Sequence, residues 1–270
     1  MRNNLLKNER LSTVLHMFHA LTLLNKFRFL LLTVLSLFFK LTRKHLIRQL
    51  RLEVDQIAYN VKIGLGEWKI IYENNVLCQY MALAEFRPKA GNICIDIGAN
   101  IGATSLGWWR TSSHLKIIAV EPHPLTFKRL KRNIELNNAG QIIKPSMVAI
   151  GKKDGILTMQ ISDEGTMAMR PDTYQTGAKE ITVPSLSLDS FIANEAIDRI
   201  DLLKIDIEGF EVEALLGATE AMKQTRRLVI EFHSNLLRDK CLLILKDSGF
   251  DQITEMGSLL FCTRPDDHLM

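Results

Sequence analysis

The stretch "ICIDIGANIGATSL" (residues 93–106) decides the fold of this chain. Its first five residues suit a buried strand, and glycines at positions 98 and 102 then interrupt the apolar run before a segment of helical pattern begins. Glycine permits backbone conformations and close approaches that a Cβ atom forbids. The stretch therefore predicts a strand, a tight turn and a helix, with the carboxylate of Asp96 near the end of the strand.

Further along the chain, strand-like and helix-like segments alternate. Apolar runs at 117–121, 201–206 and 227–232 are each followed by a segment of helical pattern, and two short apolar strands close the sequence. Such alternation favours a mostly parallel sheet with helices on both faces. We therefore predict an α/β fold with a Rossmann-like sheet, formed by a single domain over residues 52–270.

The glycine turn also restricts the ligand. A dinucleotide-binding turn reads G-x-G-x-x-G, and the third glycine is missing here, so a pyrophosphate has no obvious cradle. Asp96 instead precedes Gly98 by two residues, and Glu121 follows it by 23 residues at the end of the next predicted strand. An acid at that strand tip can accept both hydroxyls of a ribose. The pattern predicts a nucleoside pocket without a diphosphate, which S-adenosylmethionine fits.

Several motifs, taken in order, resemble the FkbM-type family of class I S-adenosylmethionine-dependent methyltransferases. They read "FRPKAGNICIDIGANIGATSL", "IIAVEPHPLTFKRLKRNIELNN", "SMVAIGKKDG", "VPSLSLDSFI" and "IDLLKIDIEGFEVEALLGA", and the resemblance spans about residues 60–262. It implies a seven-stranded Rossmann-like sheet and methyl transfer, mostly to hydroxyl oxygens of sugars, polyketides and related metabolites. It also implies the cofactor-binding residues: Asp96, Gly98, Asn100 and Gly102 at the methionine end, Glu121 at the ribose, and Ala149, at the tip of the strand after 117–121, near the adenine.

A second dense motif, "KIDIEGFE" (residues 204–211), lies at the end of another predicted strand. We expect Asp206 to lie across the crevice from Asp96, near the transferred methyl group. Two neighbouring acids such as Asp206 and Glu208 can raise one pKa to make a base, or can bind a divalent cation. They can equally serve the loop and the helix N-terminus. The sequence leaves these alternatives open, and we assign no metal ligands from it.

Methyl transfer to oxygen requires removal of a hydroxyl proton, for which a base of near-neutral pKa is suited. His233 ends the segment "VIEFH" at a predicted strand tip on the active edge, with Glu231 beside it in the sequence. We therefore predict His233 and Asp206 as the catalytic residues.

The N-terminal segment differs from the rest in charge. Residues 1–51 carry ten Lys and Arg against one acid, Glu9, which gives +9 and leaves −5 for residues 52–270. Its two uncharged, mainly apolar stretches, 11–24 and 29–39, are separated by Lys26 and Arg28, and each is too short to span a bilayer, which needs about 20 residues. We predict a basic, hydrophobic helical arm that binds an anionic membrane surface, a partner or a second copy of the chain. Its Leu and Phe content disfavours nucleic acid.

The four cysteines show neither zinc-ligand nor C-x-x-C spacing, which is typical of buried residues in a reducing compartment. We therefore expect a cytoplasmic protein, with the arm as a candidate for peripheral attachment at the inner face of the membrane. Two alternatives stay open. One is an NAD-type Rossmann enzyme, and the other is a membrane-associated protein of the same fold that binds S-adenosylmethionine or a nucleotide without methyl transfer.

Overall fold

The structure is a computed structural model that describes residues 49–54, 56–62, 70–161, 167–168 and 179–264. Its contacts divide the chain into two units, Met1–Gln79 and Tyr80–Met270. The predicted helical arm lies outside the described residues as far as residue 48. Strand β1 begins at Gln49, so the last three residues of the predicted arm belong to a strand instead of a helix.

The described part of the first unit is a hairpin followed by a helical turn. Strands β1 (Gln49–Val54) and β2 (Ile57–Lys62) pair antiparallel, with Gln49 opposite Lys62. The short connection includes Gln56 in a left-handed conformation. A single wide turn of helix spans Tyr72–Val76.

The second unit contains a seven-stranded sheet and a four-stranded sheet. The larger sheet is built from β3 (Ile93–Ile97), β4 (Lys116–Val120), β5 (Ile143–Ser146), β10 (Leu202–Ile205), β11 (Arg227–Glu231), β12 (Gln252–Met256) and β13 (Leu259–Thr263). Its strand order is β12-β13-β11-β10-β3-β4-β5, and β13 runs antiparallel to both of its neighbours. The prediction of a mostly parallel, Rossmann-like sheet of seven strands is confirmed.

The smaller sheet is formed by the strands that lie between β5 and β10 in the sequence. They are β6 (Ala149–Gly151), β7 (Gly155–Ile161), β8 (Met167–Ala168) and β9 (Lys179–Ser187), in the order β6-β9-β7-β8. The helices of the unit are α1 (Ala103–Trp109), α2 (Pro124–Leu136), α3 (Leu188–Asn194), α4 (Glu211–Leu216), α5 (Thr219–Gln224) and α6 (Asn235–Asp247). Side chains that accept a main-chain N–H begin three of them: His123 at α2, Ser187 at α3 and Ser234 at α6.

The central strands are buried on both faces. Four residues each of β3, β4, β10 and β11 are shielded from solvent, which explains why these segments are almost continuously apolar. A charged residue inside such a strand is therefore an exception that needs a partner. Two exceptions, Asp96 in β3 and Lys204 in β10, lie opposite each other in the strand register.

The topology defines where a ligand can bind. From β3 the chain adds β4 and β5 on one side of the sheet, and later adds β10 and β11 on the other side. The direction of strand addition therefore reverses between β3 and β10, and a crevice beyond the carboxyl ends of these strands follows from that reversal. Within the described ranges, every helix falls short of the length and apolarity needed to cross a bilayer.

Candidate active site

The glycine turn after β3 is shaped by close packing against the protein's own main chain. Gly98 has φ +77°, and a Cβ atom there would lie 1.8 Å from the carbonyl oxygen of Asp206. The N–H groups of Gly98 and Ala99 both donate to the carbonyl of Val120 at 2.9 Å. Gly102 has φ +90°, and its Cβ would meet a methyl group of Leu130 at 2.7 Å. The turn thus joins the tips of β3, β4 and β10, and a side chain fits at neither Gly98 nor Gly102 without displacing a neighbour.

Glu121 follows β4 directly and is buried. Its Oε1 accepts the main-chain N–H of His123 at 2.9 Å, and its Oε2 accepts that of Asn100 at 3.0 Å. Burial raises the pKa of Glu121 to about 7, although these two hydrogen bonds and the Lys204 cation act in the opposite direction. The carboxyl group therefore changes its charge close to neutral pH, and it is tied to the glycine turn through Asn100.

Asp96 is fully buried and has partners within the chain. The hydroxyl of Ser105 donates to its Oδ2 at 2.6 Å, and the Nζ of Lys204 lies 3.0 Å from its Oδ1. Lys204 Nζ also donates to the carbonyl of Gly98 at 2.8 Å and lies 3.6 Å from Asp206 Oδ2. Burial by itself would lower the pKa of Lys204, but Asp96 and Asp206 outweigh it and raise that pKa, so the side chain is a cation. The cationic partner of Asp96 is therefore the ammonium group of Lys204.

Tyr80 bridges two carboxyl groups at the ends of β10 and β11. Its hydroxyl oxygen lies 2.8 Å from Asp206 Oδ2 and 2.5 Å from Glu231 Oε2. A phenol has one proton to donate, so one of these two contacts requires a proton on a carboxyl group. Burial and the neighbouring charge of Asp206 raise the pKa of Glu231, which makes it the better carrier of that proton. Burial, with both acids, also raises the pKa of Tyr80, which stays neutral.

His233 lies beyond the end of β11, among three carboxylates. Its Nδ1 is 2.8 Å from Glu211 Oε1, while its Nε2 is 3.3 Å from Glu208 Oε2 and 3.7 Å from Asp206 Oδ1. Burial alone would lower the pKa of His233, but the hydrogen bond to Glu211 and the charges of Glu208, Glu211 and Asp206 raise it to about 9. In this state the imidazole holds its proton at neutral pH, so it has to lose that proton before it can serve as a base.

The structure brings most of the residues predicted from the sequence to one edge of the sheet. The tips of the adjacent strands β11, β10, β3 and β4 carry, in that order, His233, Asp206, the turn with Gly98, Asn100 and Gly102, and Glu121. Whether they bind a cofactor or a substrate stays a prediction.

Ala149 is placed differently from the expectation. The sequence interpretation puts Ala149 at the tip of the strand that follows β4. That strand is β5, which ends at Ser146. The carbonyl oxygen of Ser146 accepts the N–H of Glu121 at 3.0 Å. Ala149 begins β6 and pairs with Ser185 of β9 in the smaller sheet. The chain leaves the large sheet between these strands, and a pattern of apolar residues does not show to which sheet a strand belongs. Its contact with an adenine stays a prediction.

Three residues of the site were missed by sequence reasoning: Tyr80, Lys204 and Glu211. Lys204 had a signal, because a lysine inside the apolar run "DLLKID" predicts a buried acid as its partner. Glu211 resembles an ordinary acid in the first turn of a helix, and only the packing shows it to be fully buried. Tyr80 stands 126 residues before Asp206, and no local pattern links the two.

Sequence comparisons with known proteins relate this chain to methyltransferases. The family model described as "Methyltransferase FkbM domain" matches residues 96–259, which is more than half of the chain. The methyltransferase sdnD of Sordaria araneosa is 28% identical over 233 residues, covering 74% of this chain and 88% of that protein. The hexuronic acid methyltransferase AglP of Haloferax volcanii is 26% identical and covers 52% and 56%, respectively. The 31-O-demethyl-FK506 methyltransferase FkbM of Streptomyces tacrolimicus is 25% identical and covers 73% and 87%.

Proposed function

The chain belongs to the FkbM methyltransferase family, and from this membership we propose that it transfers the methyl group of S-adenosylmethionine to a hydroxyl oxygen of a sugar or glycan-type acceptor. One observation carries the proposal. Glu121, the turn at Gly98 and Asp206 lie at the carboxyl ends of three adjacent strands, β4, β3 and β10, where the strand order reverses. The acid that we propose for the ribose, Glu121, and the acid that we propose for the acceptor, Asp206, thus flank the turn at Gly98.

The residues present fit S-adenosylmethionine. Each carboxylate oxygen of Glu121 accepts one main-chain N–H and keeps a second acceptor position, so the pair can take the two hydroxyls of a ribose. The turn at Gly98–Gly102 would lie along the methionine part, and the acids Asp206 and Glu231 would face the sulfonium. When bound, the cofactor supplies a methyl carbon made electrophilic by the positive sulfur.

Asp96 then supports the cofactor through Lys204. Because its carboxylate is fully buried and paired with Lys204 Nζ, it holds the ammonium that binds the Gly98 carbonyl. Replacing Asp96 would leave Lys204 as a buried cation with a weaker set of partners, and the turn would lose its fixed position. We therefore expect Asp96→Ala to abolish cofactor binding through the turn.

We assign the binding of the acceptor hydroxyl to Asp206 and His233. Asp206 Oδ1 and His233 Nε2 lie 3.7 Å apart at the tips of adjacent strands, so both can contact one hydroxyl group. Glu211 holds the other ring nitrogen and fixes the orientation of the imidazole. Alignment of the hydroxyl and removal of its proton are what methyl transfer to oxygen demands of the protein.

Two relatives support a hydroxyl acceptor. One is named for a hexuronic acid and the other for 31-O-demethyl-FK506, and both compounds carry free hydroxyl groups. We therefore propose a sugar-type or related hydroxyl as the acceptor of this chain.

Calorimetry and a labelled-methyl assay test the proposal on the full chain. S-adenosylhomocysteine should bind to the wild type and not to Asp96→Ala, while the exposed control Asp198→Ala should bind normally. Asp206→Asn should keep cofactor binding and lose transfer of the label to hexuronic acid-containing acceptors. Binding of NADH in place of S-adenosylhomocysteine would point to the alternative of an NAD-type Rossmann enzyme. Cofactor binding without transfer to any screened hydroxyl acceptor would point to a binding protein.

A further inference from the structure

Three side chains at the acceptor end of the site present one metal-ligating atom each. Among the residues that the structure describes, ligand atoms of Asp206, Glu208 and His233 all lie within 4.8 Å of one another. The imidazole Nε2 is 3.3 Å from Glu208 Oε2 and 3.7 Å from Asp206 Oδ1. Ligands bound at about 2.1 Å in an octahedral shell lie about 3 Å apart. Glu208, whose side chain is 55% exposed, can move to close the difference.

The imidazole is held as a metal-binding histidine is held. Its Nδ1 lies 2.8 Å from Oε1 of Glu211, a fully buried carboxylate outside the group of three. This contact directs Nε2 towards Asp206 and Glu208. A histidine that binds a metal through one nitrogen almost always engages a carboxylate or carbonyl through the other, and this outer contact fixes the ring. The same arrangement is present here before any ion is considered.

The local charge also calls for a cation. The carboxyl groups gathered here belong to Asp206, Glu208, Glu211 and Glu231. The buried Lys204 is nearer to Asp96, at 3.0 Å, than to Asp206, at 3.6 Å. In addition, Oε2 of Glu211 is buried and has no hydrogen-bond partner within the described part of the chain. Metal binding requires Nε2 of His233 without its proton, and the ion then supplies positive charge among these carboxylates in place of that proton.

We propose that Asp206, Glu208 and His233 bind a divalent metal ion of the Mn²⁺ class. Two carboxylate oxygens and one imidazole nitrogen form a mixed ligand set, which suits Mn²⁺ or Fe²⁺ better than Ca²⁺. Three protein ligands leave coordination positions open for water and for an oxygen of the acceptor. The exposed side chain of Glu208 gives the ion a path from solvent.

The role of the ion rests on the proposed function, with Asp206 and His233 acting on the acceptor hydroxyl through the ion in place of direct contact. An acceptor hydroxyl bound to the cation becomes a stronger acid. Its O–H bond breaks and the proton passes to a water molecule. The oxygen then forms the new bond to the methyl carbon, and the electron pair of the broken C–S bond stays on sulfur, which leaves as S-adenosylhomocysteine. The ion thus binds the acceptor and stabilises its negative charge.

Mn²⁺ alone tests the site, since its electron paramagnetic resonance signal falls on binding to a protein. The full chain, first treated with EDTA, should bind one equivalent. His233→Ala should lose this binding, whereas His114→Ala, which removes an exposed histidine from a loop, should retain it. Equal Mn²⁺ binding by the wild type and His233→Ala, or no binding by the wild type, would overturn the proposal.

A second variant covers the case in which His233→Ala does not fold. Glu208→Gln changes a largely exposed side chain and should fold as the wild type does, but bind Mn²⁺ at least tenfold more weakly. Unchanged affinity in this variant would also overturn the proposal. The proposed function is tested separately. Full methyl transfer in excess EDTA would overturn the proposed role of the metal and leave the proposed function standing. Mn²⁺ binding without any methyl transfer would overturn the proposed function and leave the proposed metal site standing.

Discussion

The carbonyl oxygen of Asp206 occupies the place where a side chain at position 98 would begin. A Cβ atom on Gly98 would lie 1.8 Å from that oxygen, and 3.2 Å from a methyl group of Ile207. The turn proposed to hold the cofactor therefore packs directly on the main chain of the residue proposed to hold the acceptor. This backbone contact requires a glycine at position 98, and under the proposed function it would align donor and acceptor.

Gly98→Ala should be much more destabilising than Gly91→Ala. Both glycines have positive φ, +77° and +83°, but a Cβ at Gly91 meets nothing within 4 Å. The left-handed conformation costs alanine about 1 kcal/mol, and the clash with a main-chain oxygen should add about 2 kcal/mol or more at position 98. Urea unfolding of both variants measures the difference in the free energy of unfolding. Equal losses would show that the contact with Asp206 relaxes without cost.

Lys204→Met should destabilise the protein by about 3–5 kcal/mol, because Asp96 would remain a buried carboxylate without its cation. Lys144→Met is the matched control. It breaks the ion pair between Lys144 and Glu195, in which the lysine is 62% exposed, and should cost less than about 1 kcal/mol. The double variant Lys204→Met with Asp96→Asn should recover part of the loss. If chemical denaturation gave similar midpoints for the two lysine variants, the buried pair would not carry the stability assigned to it.

Cofactor affinity should depend on pH through Glu121. Burial raises the pKa of Glu121 to about 7 against the effects of His123, Asn100 and Lys204, while Asp96 adds to the rise. Under the proposed function, only the ionised form would accept ribose hydroxyls on both carboxylate oxygens. Affinity should therefore be highest above pH 7 and fall as the pH falls through 7, by up to tenfold per unit.

Calorimetry with S-adenosylhomocysteine measures this pH dependence of the affinity. The titrations run from about pH 6 to about pH 8.5, roughly one unit or more on each side of the pKa of Glu121. Glu121→Gln should bind weakly at every pH and show no such fall. The control Glu135→Gln, on the exposed side of α2, should reproduce the wild-type profile. A flat profile for the wild type would mean that Glu121 keeps one charge state when the ligand binds.

Removal of residues 1–48 should release the protein from anionic vesicles and leave cofactor binding intact. This segment carries nine Lys and Arg against Glu9, a net charge of +8, among many Leu and Phe residues. The cut belongs before Gln49, since a cut after residue 51 would remove half of β1 and its pairing with β2. Vesicle co-sedimentation at low and high salt measures binding. Membrane binding by the truncated chain, or its failure to fold, would contradict the proposed role of the arm.

Local patterns in the sequence were enough to predict the α/β class, the glycine turn and the acids at the strand tips. The apolar runs are long and regular, and a glycine between a strand and a helix has few alternatives. The same patterns did not separate the two sheets. Ala149 lies in the short apolar run 147–150 directly after β5, and its membership of the smaller sheet depends on pairing with Ser185 of β9, far along the chain.

The sequence by itself determined which chemical groups stand at the ends of the strands, because the end of each apolar run fixes where the strand stops and which residue follows it. Only the tertiary structure decided how those groups pair. Lys204 faces Asp96 through the register of β10 and β3, Tyr80 joins Asp206 to Glu231, and Glu211 orients His233. These contacts connect residues far apart in the chain, and their strength comes from burial, which a sequence pattern does not contain.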